Sequence, residues 1–246
     1  MTEEIKKWWE DNANQFQEER KIPIEINYGA GGLKEDDLKL IKEIRGKKVL
    51  EIGCGGAQCG IAFAKQGAIV TGIDISEKQI EFARQLAKDN NVEIELYQGD
   101  IINLEKINSE SQDIIFSSWA LLYISDLQRC FKEAYRVLKK GGLFVLSLDH
   151  PFWRTLDKKN MKLNRCYFET GIYQEPYLNG TFMAYNHTIS EITNALADAG
   201  FIIEKMIEPD PRKSLDEDFW LEKYEDYKKE AMKKIPRTII FKAKKY

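Results

Sequence analysis

Apolar runs of five or six residues recur through the middle of the chain, separated by stretches in which apolar positions return every three or four residues. The runs are 47–52 (KKVLEI), 68–73 (AIVTGI), 92–97 (VEIELY), 113–117 (DIIFS) and 143–148 (LFVLSL). Short, nearly continuous runs of this kind suit strands buried on both faces of a parallel sheet. The helical stretches between them are 58–66, 76–89 and 127–139. Ser76 with Gln79 three residues later has the form of a capping box and sets the start of the second helix. Gly141-Gly142 is expected to stop the third and turn the chain into the fifth strand. Strand and helix alternating five times predict an α/β fold with a doubly wound, mostly parallel sheet.

The flanks follow other patterns. In residues 3–19, Ile5, Trp8, Trp9 and Phe16 fall at helical spacings among charged neighbours, which predicts an amphipathic helix whose aromatic stripe must lie against something. Tyr28-Gly29-Ala30-Gly31-Gly32 is too glycine-rich for regular structure, and a second helix is expected around Leu38, Leu40, Ile41 and Ile44. Residues 149–187 hold two prolines, scattered aromatics and no sustained period, as an insertion would. Thr188 with Glu191 forms another capping box, opening a helix through Ala199 that Gly200 stops. A sixth strand is expected at 201–207, a charged helix near 215–234 and a last strand at 237–244.

Composition narrows the class. A chain of 246 residues fits one α/β domain with elaborations, and 43% hydrophobic with 31% charged residues describes a folded globular protein. Thirty-seven basic against 40 acidic residues leave a net charge of −3, which disfavours DNA, because phosphate neutralisation asks for a positive excess. No run approaches the roughly 18 apolar residues of a membrane helix, and the N-terminal residues lack an apolar signal core, so no membrane and a cytoplasmic location are expected. Cys54, Cys59, Cys130 and Cys166 show no C-x-x-C pairing and no clustering with the two histidines, and read as reduced thiols with no metal site.

The chemistry gathers at predicted strand ends. The first strand runs out through Glu51-Ile52-Gly53-Cys54-Gly55-Gly56-Ala57 directly before a helix, where glycines let the backbone approach a ligand. Asp74 ends the second strand, placed to accept from both hydroxyls of a ribose, and Asp100 ends the third, placed to receive an adenine amine. Singly, such glycines are turn residues and such aspartates are helix caps; together they point to a nucleoside-bearing ligand. A pyrophosphate would want a third glycine where Gln58 stands and would be repelled by Glu51, whereas an acid there suits a cation.

The segments VLEIGCGGAQCGIAFAKQGAIVTGIDISEKQIEFAR, GDI, DIIFSSWALLYISD and RVLKKGGLFVLSLDHPF, in that order over about residues 47–150, resemble the class I S-adenosylmethionine-dependent methyltransferases, small-molecule branch. The resemblance implies a seven-stranded sheet with its last strand antiparallel, to which the pattern of the flanks adds an N-terminal helical lid and an insertion after the fifth strand. It divides a single domain into a lid (1–46), a cofactor-binding core (47–148), a substrate-side insertion (149–187) and C-terminal helices and strands (188–246). It implies S-adenosylmethionine as cofactor, with Gly53 and Gly55 against the methionine part, Glu51 near its amino group, and Gln58 and Ser117 facing the same part. Asp74 would hold the ribose, Ile75 pack on the adenine, and Asp100 with Ile101 read the adenine edge. Tyr28 would close over the sulfonium, whose charge an aromatic face favours.

Methyl transfer needs mainly alignment, and a base only where the acceptor carries a proton that must leave early. His150, after the fifth strand, and His187, opening the following helix, are the expected catalytic residues, with D-H-P as a plain turn the alternative at His150. Trp119, Tyr123, Phe152 and Trp153 stand where an acceptor pocket would be lined, or as core packing. The expected acceptor is a small molecule. RNA or protein as acceptor, and a cofactor-binding module without catalysis, are the alternatives.

Overall fold

A computed structural model describes residues 2–29, 34–210 and 226–246. The chain begins with α1 (Thr2–Arg20) and the single turn α2 (Glu35–Leu38). The sheet-forming middle runs β1 (Lys48–Ile52), α3 (Gln58–Lys65), β2 (Ile69–Asp74), α4 (Glu77–Asp89), β3 (Glu95–Gln98), β4 (Gln112–Ser118), α5 (Leu127–Val137) and β5 (Leu138–Asp149). Two hairpins follow, β6 (Leu156–Asp157) with β7 (Lys162–Leu163) and β8 (Gly171–Pro176) with β9 (Thr181–Asn186). The chain closes with α6 (Ile189–Asp198), β10 (Ile202–Ile207), α7 (Asp226–Met232) and β11 (Thr238–Lys244).

Seven strands make one sheet in the order β10-β11-β5-β4-β1-β2-β3, parallel except for the two ladders of β11. This is the doubly wound sheet with an antiparallel last strand that the sequence predicts. The chain order reverses between β1 and β4, which opens a crevice at the carboxyl ends of the strands. Side chains alternate across the sheet. Leu50, Ile115, Leu146 and Phe241 feed one buried cluster, covered by α5 and α6, while Val49, Phe116, Val145 and Ile240 feed the other, which Phe63 of α3 completes.

Both N-caps form, and the box is reciprocal at Thr188, whereas the Gln79 side chain turns to Gln17. Ser76 Oγ accepts from Gln79 N–H (3.2 Å), and Thr188 Oγ1 from Glu191 N–H (3.1 Å). Elsewhere tertiary contacts move the boundaries. The expected second helix lasts one turn, because the buried Glu35 carboxylate accepts from Ile41 N–H (2.6 Å) and from the Tyr28 hydroxyl, pulling the chain out of the helical path after Lys39 (φ 49°). α5 stops at Val137, ahead of the glycine pair, where the buried Lys245 ammonium donates to the carbonyls of Tyr135 (2.9 Å) and Leu138 (2.8 Å) and closes the helix end. The insertion, in which no sustained period could be read, holds the two hairpins. The charged helix expected near 215–234 lies outside the described residues up to 225.

α1 runs across the crevice. Glu10 accepts from the first N–H of α4 (Glu77, 2.6 Å), and Asn12 Oδ1 accepts from Asn179 N–H (3.0 Å) in the turn of the β8–β9 hairpin. Trp8 stacks on Tyr177 of that turn at 6.0 Å and meets Phe182 edge-on at 5.6 Å, which gives the aromatic stripe its surface.

Candidate active site

A cavity of about 360 Å³ lies between the strand ends and the α1 helix. One end is built at the tips of the first three strands, and Glu51, Gly53, Gly55, Gln58, Asp74, Ile75, Asp100 and Ile101, all expected at the cofactor, line it. Gly53 (φ 68°) has to be glycine, since a Cβ there would stand 2.1 Å from that of Ala120. Asp74 accepts from Gly55 N–H through Oδ2 (2.8 Å) and from Ser76 N–H through Oδ1 (3.0 Å). A carboxylate has about four lone-pair sites, so Asp74 keeps acceptor capacity for a ribose hydroxyl. Burial nevertheless raises Asp74 to about 6. Glu51 accepts from Gly60 N–H (2.8 Å), and burial, with the charge of Asp74 adding, pushes it up to about 8. Acids held this far from water favour a cation beside them, so the donor set fits a ribose, an amine and a sulfonium and does not fit a pyrophosphate.

Gln58 does not stand alone. Its amide donates to Gln17 Oε1 (2.7 Å), and Gln17 donates to Gln79 Oε1 (2.8 Å), so three glutamines tie α1 to the starts of α3 and α4 over the glycine turn. Gln17, Gln79 and Ser118 line the cavity and carry no local sequence signal. Cys54 and Cys59 also line it, with thiols that burial pushes well above the usual range, as packing residues and not thiolates.

Four expected site residues face elsewhere. Tyr28 is fully buried under the sheet, its ring 5.7 Å from Phe116 and its hydroxyl donating to Glu35, so it closes over nothing. Ser117 donates to the carbonyl of Ile52 (3.1 Å), and its neighbour Ser118 is the one on the wall. His150 accepts from Phe152 N–H through Nδ1 (3.1 Å), which leaves Nε2 to donate to Glu208 (2.7 Å). Both nitrogens are engaged away from the cavity, as in the turn alternative. His187 donates to the carbonyl of Ile124 (2.7 Å) and borders a separate depression with Asp126 and Glu191. Burial lowers both imidazoles. Neither histidine is retained as the proton acceptor.

The other end of the cavity is aromatic and basic. Asp149, the last residue of β5, pairs with Arg154 (2.9 Å) and with Arg237, which precedes β11 and so arrives beside the tip of β5. Arg237 lies over Trp119 at 4.4 Å and Arg154 over Tyr173 at 4.6 Å. Trp119 holds a left-handed backbone (φ 57°), a strain on the order of 1 kcal/mol, retained because its N–H donates to Ser147 (2.9 Å) while its ring fills the wall. Trp9, Tyr123 and Phe182 complete this end.

A methyltransferase domain family matches residues 50–146. An uncharacterized methyltransferase of Bacillus subtilis, YbaJ, is 30% identical over 172 residues, 65% of this chain and 68% of that one. A ubiquinone biosynthesis O-methyltransferase of Coxiella burnetii is 38% identical over 119 residues, 47% of this chain and 50% of that one. Among solved structures, an S-adenosylmethionine-dependent methyltransferase from Mesorhizobium loti superposes with a TM-score of 0.70 at 25% identity, over 85% of this chain and 95% of that one. Like these relatives, the chain belongs to the class I S-adenosylmethionine-dependent methyltransferases, and it uses S-adenosylmethionine as its methyl donor.

Proposed function

We propose that the methyl acceptor is a small organic molecule bound between the tips of β4 and β5, α1 and the β8–β9 hairpin. The observation that carries this reading is the roof: α1 and the hairpin are joined through Asn12 and Asn179 and through the stack of Trp8 on Tyr177, so the acceptor end is walled by side chains of the same domain. A cavity of a few hundred Å³ in all, walled at this end by aromatic rings and a few charged groups, suits a small ligand better than a polymer. The likeness to an O-methyltransferase of ubiquinone biosynthesis, over half of that protein, supports the same reading.

S-adenosylmethionine supplies a methyl group already activated by its sulfonium charge. The chain supplies position. Asp74 and Asp100 hold the nucleoside, Glu51 the amino group, and the glycine turn lets the backbone come close. Trp119 and Tyr123 border the acceptor, excluding water and limiting its angles of approach. α1 acts as a lid, with Gln17 as its tie to the cofactor end.

The test is to supply the protein with S-adenosylmethionine labelled in the methyl group together with a cell extract. Label is expected in the pool that passes an ultrafilter. Label confined to RNA or protein overturns the reading.

A further inference from the structure

Six buried side-chain polar atoms lack a partner among the described residues. Four are N–H donors on residues that line the cavity: Trp8 Nε1, Trp119 Nε1, Arg154 Nη1 and Arg237 Nε. These residues adjoin one another, Trp8 through Phe182 to Arg154, and Trp119 against Arg237. A buried donor without an acceptor is costly, and folded proteins keep few of them. Four at one end of one cavity are matched by a ligand that brings acceptors.

The charges agree. Arg154 and Arg237 are buried or nearly so, and one carboxylate, Asp149, serves both. Among the described residues Asp149 is the carboxylate paired with both arginines, while Glu175, also on the wall, accepts from the Tyr173 hydroxyl. Lys158, over the ring of Trp153, is pushed down to about 8 by burial first and then by Arg237. A bare structural clamp would leave the two guanidiniums neutralised; among the described residues this one pairs both with a single carboxylate.

We propose that the acceptor is an anion: its carboxylate is held by the Arg154–Arg237 pair, and its apolar body lies between Trp119, Tyr123 and Phe182. The proposal rests on the small-molecule reading above. A carboxylate matches better than a phosphate, because Asp149 has already offset one of the two guanidiniums and the planar fork of an arginine pairs two oxygens side by side.

Naphthoate and naphthamide, alike in shape and different in charge, are the probes, titrated calorimetrically into protein saturated with S-adenosylhomocysteine. The carboxylate is expected to bind about tenfold tighter or more, the scale of charge-assisted hydrogen bonds. Arg154→Gln brings the two probes to similar affinity while S-adenosylhomocysteine binds as before; should that variant fail to fold, Arg237→Gln carries the same comparison. Equal binding of the two probes to the unaltered protein overturns the proposal and leaves the small-molecule reading standing, as does stronger binding of naphthyl phosphate. The low-molecular-weight pool of an extract, split on an anion exchanger, gives an independent measurement. Methyl-accepting activity is expected in the retained fraction; activity in the unretained fraction alone overturns the anion, and activity only in RNA or protein overturns the reading beneath it.

Discussion

The two ends of the cavity are built in opposite ways. The cofactor end takes Glu51, Asp74 and Asp100 from consecutive strand tips within about fifty residues of chain, and its charge is negative throughout. The acceptor end draws on α1, the turn after β4, the segment after β5, the hairpin and the residue before β11, and it centres on two arginines that share one carboxylate. Each acid at the first end accepts from backbone N–H groups of the strand-end turns and the start of α3, whereas the arginines of the second depend on one carboxylate and on stacked rings. Turns with backbone partners hold a fixed ligand; a shell of side chains from distant segments holds whatever those segments select.

The sharpest way to break this contrast is Asp149→Ala. Removing one partner from a buried ionic cluster leaves uncompensated charge and costs about 3–5 kcal/mol. Urea unfolding is expected to show a loss of that size, and a loss below about 1 kcal/mol would mean the arginines are solvated. At the other end, Asp74→Ala is expected to weaken S-adenosylhomocysteine by about 1.5–3 kcal/mol, the scale of hydrogen bonds to a charged group, with little loss of fold. Calorimetry checks it.

Glu51→Gln sharpens the contrast through pH. The carboxyl sits near 8 in the folded chain against an ordinary value of 4.5, so the unfolded chain releases this proton first, and Glu51 lowers stability progressively as pH rises from about 4.5 to 8. The glutamine lacks that loss. The variant is expected to be more stable than the parent at pH 8 by about 1 kcal/mol or more, about 2–4 °C in Tm per kcal/mol, with the gap closing toward pH 5, and to bind the cofactor more weakly. A gap of the same size at both pH values would show that the glutamate is ionised throughout.

Smaller effects separate wall from scaffold. His150→Ala is expected to leave kcat/KM on the true acceptor within about threefold, because the ring serves Phe152 and Glu208 and not the cavity. A loss of a hundredfold would return it to the mechanism. Hydrogen exchange in α1 is expected to slow on cofactor binding if the helix is a lid, and unchanged exchange there, with the glycine turn protected, would make it a fixed wall.

The same contrast explains what could be read from the chain alone. Strands, capping boxes and acidic tips obey local rules, so Ser76, Thr188, Glu51 and Asp74 stand where their neighbours in sequence say they should. The acceptor end obeys none. Arg154 and Arg237 meet on Asp149 only because β11 pairs with β5, and Gln17 reaches Gln58 only because α1 crosses the crevice. Tyr28 and the histidines misled for the converse reason: each stands beside suggestive residues, yet is satisfied by a partner, Glu35, Glu208 or the Ile124 carbonyl, that no spacing announces.

The direction of β11 carries a consequence for descent. In a wholly parallel sheet each strand would offer its last residue to the reactive edge, and changes of ligand would have to be made in the turns that also bind the cofactor. One reversed strand brings its first residue there instead, from a part of the chain that shares nothing with those turns. Position 237 and the hairpin segment can therefore drift, lengthen or be exchanged between relatives as a cassette while the nucleoside-binding half is inherited intact. Chimeras that swap 150–186 together with position 237 are the natural route to new acceptors on this scaffold.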